Sequence, residues 1–209
     1  MIKLEKTSVM NFENAVRGAR NPMNSWHKSD SYYDEDGKYI LGENDYALCM
    51  KLCKAGPDHR KFMRQIFVSV DITAPLYWWK EYDTYKVGTT ANSCSTMHKI
   101  HAKEFTLDDF SCEHLYSGWK DDMENVIVPV LNIAREKFIE TKDKKYWWQI
   151  IQLLPSSYNQ MRTCTLTYEN LVNIYHARRN HKLDEWVDFC EWIESLPYSE
   201  LITGGKDER

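Results

Sequence analysis

The sequence predicts an α/β (α+β) fold, a single domain over residues 1–209 in which a central β-sheet is flanked by helices. Three observations carry that reading. Residues 65–73 and 163–167 alternate apolar and polar positions with the period of two that marks a half-buried strand. Around them, apolar residues recur at three- and four-residue spacing, the period of a helix packed on one face. The chain shows no composition break or repeat, and its 209 residues suffice to bury one large core.

Asn11 precedes FENAVRGAR, whose Phe12, Ala15, Val16 and Ala19 share a helical face. Residues 21–44, rich in Asn, Ser, Asp and Gly, read as a long loop with little regular structure. NDYALCMKLCKAG gives a short helix stopped by Gly56, with Pro57 beyond. In FMRQIFVSVDIT, Ile66, Val68, Val70 and Ile72 point one way and Phe67, Ser69, Asp71 and Thr73 the other. Pro75 suits the first turn of the helix APLYWWKEYDTY, where its missing N–H costs nothing. MENVIVPVLNIAREKFIE is a helix that Pro129 should kink, and KKYWWQIIQLL is a helix stopped by Pro155. RTCTLT is a strand that feeds into the helix YENLVNIYHARRN. KLDEWVDFCEWIESL closes the domain as an amphipathic helix, with a disordered tail expected over 201–209.

The net charge of −4 and 28% charged residues exclude a general nucleic-acid or anionic-membrane binder, so an anion must meet a local basic cluster. No apolar run approaches membrane-spanning length and no N-terminal signal segment is seen, which points to a cytoplasmic setting. Six irregularly spaced cysteines read as reduced thiols. The eight Trp and thirteen Tyr exceed what a core needs and suit interfaces or flat ring ligands.

Two places stand out. The stretch YDTYKVGTTANSCSTMHK, residues 82–99, is too polar for a core element and too poor in Pro and Gly for a spacer. On the helix after RTCTLT, Leu171, Ile174, Tyr175 and Arg178 fall at i, i+3, i+4 and i+7, an apolar stripe that ends in an arginine. Such an arginine either snorkels at the stripe's end or lies in a pocket where its fork meets a carbonyl or anion. Arg179 and His181 add positive charge, and Glu169, Asn173, His176 and Asn180 form a second, polar face. Cys94, His98, His101, Cys112 and His114 could supply zinc ligands, but their spacing matches no closed site, so no metal is assigned. Cys49 and Cys53 read as small core residues rather than a redox pair.

The order of these elements resembles the flavin-dependent thymidylate synthases over most of the chain. In that family a strand ending in Ala-Pro leads to a helix and then the signature R-H-R-x-x-S-x-N-x-x-S-x-R-Y. Ala74-Pro75 and the loop 84–98 look like that place, and Leu154-Pro155, Asn173 and Arg178 reproduce a C-terminal Leu-Pro, strand and Asn/Arg helix. The signature's R-H-R corresponds to Thr84, Tyr85 and Lys86, its Asn to Asn92 and its second Ser to Ser95. Its closing Arg-Tyr has become Met97-His98. Thr167 and Glu169 stand where the family helix begins with Asn and Arg.

The resemblance implies FAD-assisted reductive methylation of a uracil nucleotide (dUMP to dTMP) or a related pyrimidine nucleotide or nucleoside. Methylenetetrahydrofolate and NADPH would be co-substrates, and the assembly a homotetramer with shared active sites. It makes Lys86, Asn92 and Asn173 cofactor-binding residues, Ser95 and Arg178 substrate-binding residues, and Arg178 the catalytic group that polarises the ring carbonyl. The replacements at Met97, Thr84 and Glu169 remove charge-assisted contacts worth about 1.5–3 kcal/mol each, so the phosphate clamp is dismantled. A non-catalytic nucleotide- or flavin-binding descendant, and an unrelated zinc hydrolase using the His/Cys loop, are the other classes.

Overall fold

The structure, a computed structural model, describes residues 2–204. Its first element, strand β1 (Lys3–Met10), is not among those expected. Most of its residues are exposed, so it carries no apolar alternation, and its place at a sheet edge rests on backbone pairing. Asn11 then adopts the left-handed conformation, φ 74°, which its short polar side chain tolerates, and turns the chain into α1 (Phe12–Arg20).

The expected loop 21–44 is more ordered than its composition suggests. Two single 3₁₀ turns lead into a hairpin of β2 (Tyr32–Tyr33) and β3 (Tyr39–Ile40), with Tyr32 opposite Ile40 and Tyr33 opposite Tyr39. Its organising group is Asp45, fully buried in the first turn of α2 (Glu43–Lys54). The carboxylate accepts hydrogen bonds from Arg20 Nε, from Ser29 Oγ at 2.7 Å, and from Ser31 N and Oγ at 3.1 and 2.6 Å. Asp30 caps the same helix by accepting from the N–H groups of Asn44 and Asp45. Gly42 is required there, because a Cβ would lie 2.3 Å from Asp30 Oδ1.

Strand β4 (Phe67–Pro75) buries Val68, Val70, Ile72 and Ala74 and turns Ser69, Asp71 and Thr73 the other way, as the alternation predicts. Pro75 differs from the expectation. At φ −68°, ψ 152° it ends the strand, and helix α3 begins one residue later (Leu76–Tyr82). The first helical N–H groups, of Leu76 and Tyr77, donate instead to the carbonyls of Tyr158 and Ser156. Beyond α3 the chain forms a short strand β5 (Thr90–Ser93) and a helical turn α4 (Thr96–Lys99), so the polar stretch is not all loop.

The kink expected at Pro129 is realised as a change of helix type. Helix α5 (Ser117–Asp122) runs into a π turn over Met123–Ile127 and then into α6 (Val128–Thr141). A proline ring clashes with the carbonyl four residues back. The wider turn accommodates this, and the Val128 N–H reaches the Met123 carbonyl. Helix α7 (Lys144–Leu153) precedes β6 (Asn159–Thr167), which starts four residues before the expected 163. α8 (Tyr168–Arg178), α9 (Asp184–Glu194) and α10 (Glu200–Thr203) follow. The tail expected from 201 therefore begins in a helix with Leu201 and Ile202 buried, and residues 205–209 lie outside the described residues.

The main sheet has the order β1-β4-β6-β5. The chain divides into two compact units, each drawn from distant segments. One, the outer unit, holds Leu4–Val70, Tyr85–Thr90 and the chain from Cys164. The other, the middle unit, holds Asp71–Thr84 and Ala91–Thr163 together with the residues before Leu4. In the middle unit Phe105, Phe110, Val128, Leu131 and Ile150 form the core. In the outer unit α8 and α9 bury Tyr168, Leu171, Ile174, Trp186, Phe189 and Ile193.

The six cysteines are all free thiols. Burial pushes the Cys49 and Cys53 thiols up to about 12, so neither is a thiolate at neutral pH. Exposed Cys94 is expected to react promptly with a disulfide reagent in the native state. Buried Cys49, Cys112, Cys164 and Cys190 should react only after denaturant is added, as the count of thiols titrated with and without urea will show.

Candidate functional site

Helix α8 grows directly from β6. Thr167 is both the last residue of the strand and the cap of the helix: its Oγ1 accepts from Asn170 N, and Asn170 Oδ1 accepts from Thr167 N at 2.9 Å. The Asn170 amide also donates to the Val87 carbonyl at 2.7 Å. This tie holds the 85–90 segment against α8 within the outer unit. Gly88, at φ 78°, permits the approach, since a Cβ would come within 3.2 Å of Asn170 Oδ1.

Arg178 ends the stripe of Leu171, Ile174 and Tyr175, all three buried. Its guanidinium lies against two aromatic rings, 4.8 Å from the centroid of fully buried Trp186 and 5.6 Å from that of Tyr85. Its Nε donates to Tyr85 Oη at 2.8 Å. The arginine is thus fixed by stacking and hydrogen bonding. Tyr85 and Trp186 do this work, and the sequence reading gave neither a role. Their rings also meet edge-on at 6.0 Å.

The polar face of α8 carries Glu169, Asn173 and His176. Glu169 takes a two-pronged ion pair from Arg60, Nε to Oε2 at 2.9 Å and Nη2 to Oε1 at 3.2 Å. Asn173 is exposed. Partial desolvation against the protein surface, helped by Arg179 and Arg60, lowers the His176 pKa below its ordinary value. His59 and Lys61, on either side of Arg60, help wall a cavity of about 510 Å³ in the same unit, with Leu48, Leu52 and Phe62 as its apolar side.

Of the other expected site residues, Lys86 is exposed on the segment that Asn170 holds. Asn92 and Ser95 belong to the middle unit. Asn92 is exposed on β5, whereas Ser95 caps α4, its Oγ accepting from His98 N at 3.0 Å. The chain beside Ser95 is tied to β6, through Cys94 N to the Met161 carbonyl and Gln160 Nε2 to the Cys94 carbonyl. Among the described residues no three His, Cys, Asp or Glu side chains gather as metal ligands. Nor is any described helix long and apolar enough to cross a membrane.

No protein-family model matches the chain, and no curated protein matches it in sequence. Solved structures do. Thymidylate synthase X (ThyX) from Helicobacter pylori, crystallised with FAD and dUMP, superposes with a TM-score of 0.73 at 14% identity, over 96% of this chain and 96% of that one. A second structure, of the flavin-dependent thymidylate synthase ThyX of H. pylori complexed with FAD and dUMP, gives 0.68 at 15% identity, over 95% of this chain and 96% of that one. The mixed helix-and-sheet architecture of this chain is therefore that of ThyX.

Proposed function

We propose that the chain is a divergent flavin-dependent methyltransferase acting on a uracil nucleotide or a related pyrimidine, with its ring site at the C-terminal end of α8. The observation that carries this reading is Arg178. A guanidinium braced by Tyr85 and Trp186, on a helix whose start is locked to the 85–90 segment, is a preorganised positive group for an electron-rich ring carbonyl. The ThyX-like fold, whose solved relatives hold FAD and dUMP, supports the same reading.

The residues present suit the ring of a flavin better than its phosphates. The cavity beside Arg60 offers an apolar wall of Leu48, Leu52 and Phe62 and a polar rim of Asn21, His59, Lys61 and Gln65. That is the pairing a flat heteroaromatic ring with polar edges needs. Within the outer unit, Asn173 and Lys86 would add polar contacts to FAD. Bound FAD would supply the hydride, with methylenetetrahydrofolate as carbon donor and NADPH as the source of reducing equivalents. The chain's own contribution is to orient the ring, polarise its carbonyl through Arg178 and exclude water.

Charge is handled unusually. Glu169 stands where the family resemblance expects a basic residue, and it neutralises Arg60. With Met97 in place of the other expected arginine, the reading favours a pyrimidine held by its ring more than by a phosphate. Exposed Tyr116, Trp119, Val126, Val130 and Ile133 in the middle unit form apolar surface suited to subunit contact, in keeping with a homotetramer. Six free thiols are in keeping with a reducing, cytoplasmic setting.

The test is to incubate the purified protein with FAD, remove free flavin and record the visible spectrum, then titrate deoxyuridine and dUMP by calorimetry. Retained flavin with binding of either pyrimidine supports the reading, and release of tritium from C5 of the labelled pyrimidine separates an enzyme from a non-catalytic descendant. Failure to retain flavin, together with no pyrimidine binding, rejects both. Sedimentation as a stable monomer at micromolar concentration counts against shared active sites.

A further inference from the structure

Within the outer unit, a cavity of about 340 Å³ lies between α1 and the ordered 25–39 segment and shares no residue with α8. Trp26, Tyr32, Tyr33 and Tyr39 line it, and the rings of Tyr33 and Tyr39 meet edge-on at 5.4 Å. Three of the four are half or more exposed, at 50% for Trp26, 58% for Tyr32 and 55% for Tyr33. So much aromatic surface gathered around one concavity is the composition of a ring-binding site.

The polar part of the wall includes Arg20, whose side chain is only 5% exposed. Its Nε is taken by Asp45, and Nη1 by the Ser25 carbonyl at 3.3 Å. Nη2 bonds to no described residue and is not among the buried polar atoms that lack a partner, so this one edge of an otherwise buried side chain keeps contact with solvent. That edge is a positioned donor, held in place by the Asp45 and Ser25 contacts and open to an anion entering the cavity. Arg17 stands at the rim, bonded only to Asn14 Oδ1 at 2.7 Å, and Glu13 accepts from Tyr33 Oη at 2.7 Å. The cavity therefore combines stacking faces, two guanidinium groups and one acceptor.

We infer that this cavity is a second binding site, which takes a planar aromatic ring carrying one anionic group, carboxylate or phosphate. The ring lies among Trp26, Tyr32, Tyr33 and Tyr39. The anion meets the free edge of Arg20 and the fork of Arg17. Its volume is at the low end for small-molecule sites, which limits the ligand to a single ring system rather than a dinucleotide.

Calorimetric titration of the full-length protein with indole-3-acetate, AMP, adenosine and inorganic phosphate tests the site. Indole-3-acetate or AMP is expected to bind, and which of the two does so identifies the anion as carboxylate or phosphate. Adenosine should bind about tenfold more weakly than AMP if AMP is the one accepted, and phosphate alone not measurably. Tyr32→Ala and Arg17→Ala, both at exposed positions, should each weaken ring-anion binding by about fivefold or more with an unchanged circular dichroism spectrum. Arg178→Ala should leave it intact, so that this site and the α8 site succeed or fail separately. Absence of binding by both ring anions up to about 10 mM overturns the inference. So does binding that Arg178→Ala abolishes and Tyr32→Ala does not. A sedimentation change in Tyr32→Ala without loss of binding would assign the aromatic wall to contact between copies, and overturns it too.

Discussion

Asp45→Ala is expected to lower the unfolding free energy by about 3–5 kcal/mol, the loss typical of breaking a buried ion pair from one side. The carboxylate is fully buried and accepts from Arg20, Ser29, Ser31 and the backbone of Asp30. Removing it strands the Arg20 guanidinium without a counter-charge and leaves two hydroxyls and the backbone N–H groups of Asp30 and Ser31 without their acceptor. The damage should spread through 25–45, because these bonds are what order that segment. Urea unfolding at pH 7 gives the magnitude, and a loss below about 1 kcal/mol would mean that the segment holds itself without the carboxylate.

The same group sets an acid limit. Burial raises the Asp45 pKa, but the hydrogen bonds from Ser29, Ser31 and Arg20 outweigh it, so the folded value lies below the ordinary one of 3.8. Its stabilisation is complete above the unfolded value and is lost as pH falls through the folded one. The stability gap between wild type and Asp45→Asn should therefore be widest near neutrality and close below about pH 4.

Arg178→Ala is expected to weaken pyrimidine binding by about 2–4 kcal/mol, thirty-fold or more, through loss of a charged donor from a partly desolvated site. The bond to Tyr85 Oη and the stacking on Trp186 add a stability cost of about 1–2 kcal/mol. Arg179→Ala is the control, since Arg179 is exposed and lies 6.0 Å from the Tyr175 ring. Arg178→Lys keeps the charge without the planar fork and should fall between wild type and Ala. Thermal unfolding beside pyrimidine titration separates the effects. Several kcal/mol of stability lost with binding intact would make the arginine structural, and greater damage from Arg179→Ala would put the site on the wrong side of the helix.

What was legible in the sequence is what repeats locally. The alternation of 66–73 and the stripe through Leu171, Ile174, Tyr175 and Arg178 are set by burial along one element, and both appear as expected. Strand β1 was not legible because pairing, not burial, orders it. Asp45 was hidden because its partners at 20, 29 and 31 are assembled by the fold. Tyr85 is brought to Arg178 across 93 positions, a contact no local period encodes. The capping of α4 by Ser95, whose Oγ accepts from His98 N, was likewise not legible, because a serine in a polar stretch serves a cap or a ligand equally well.

The seam between β6 and α8 makes the helix answer to the strand like a key to its wards. No residue intervenes at Thr167, so the chain has no slack with which to absorb an error. One inserted residue would turn the helix by about 100°. That single step would swing Asn170 off the Val87 carbonyl and Arg178 off Tyr85. The hairpin turn at 34–38, bridged only by the Asp34 carboxylate and its own backbone, can change length at little cost. Variation in this lineage is thus channelled: the surface near residue 36 is free to drift, while the 167–168 peptide must keep its spacing for as long as the arginine keeps its place.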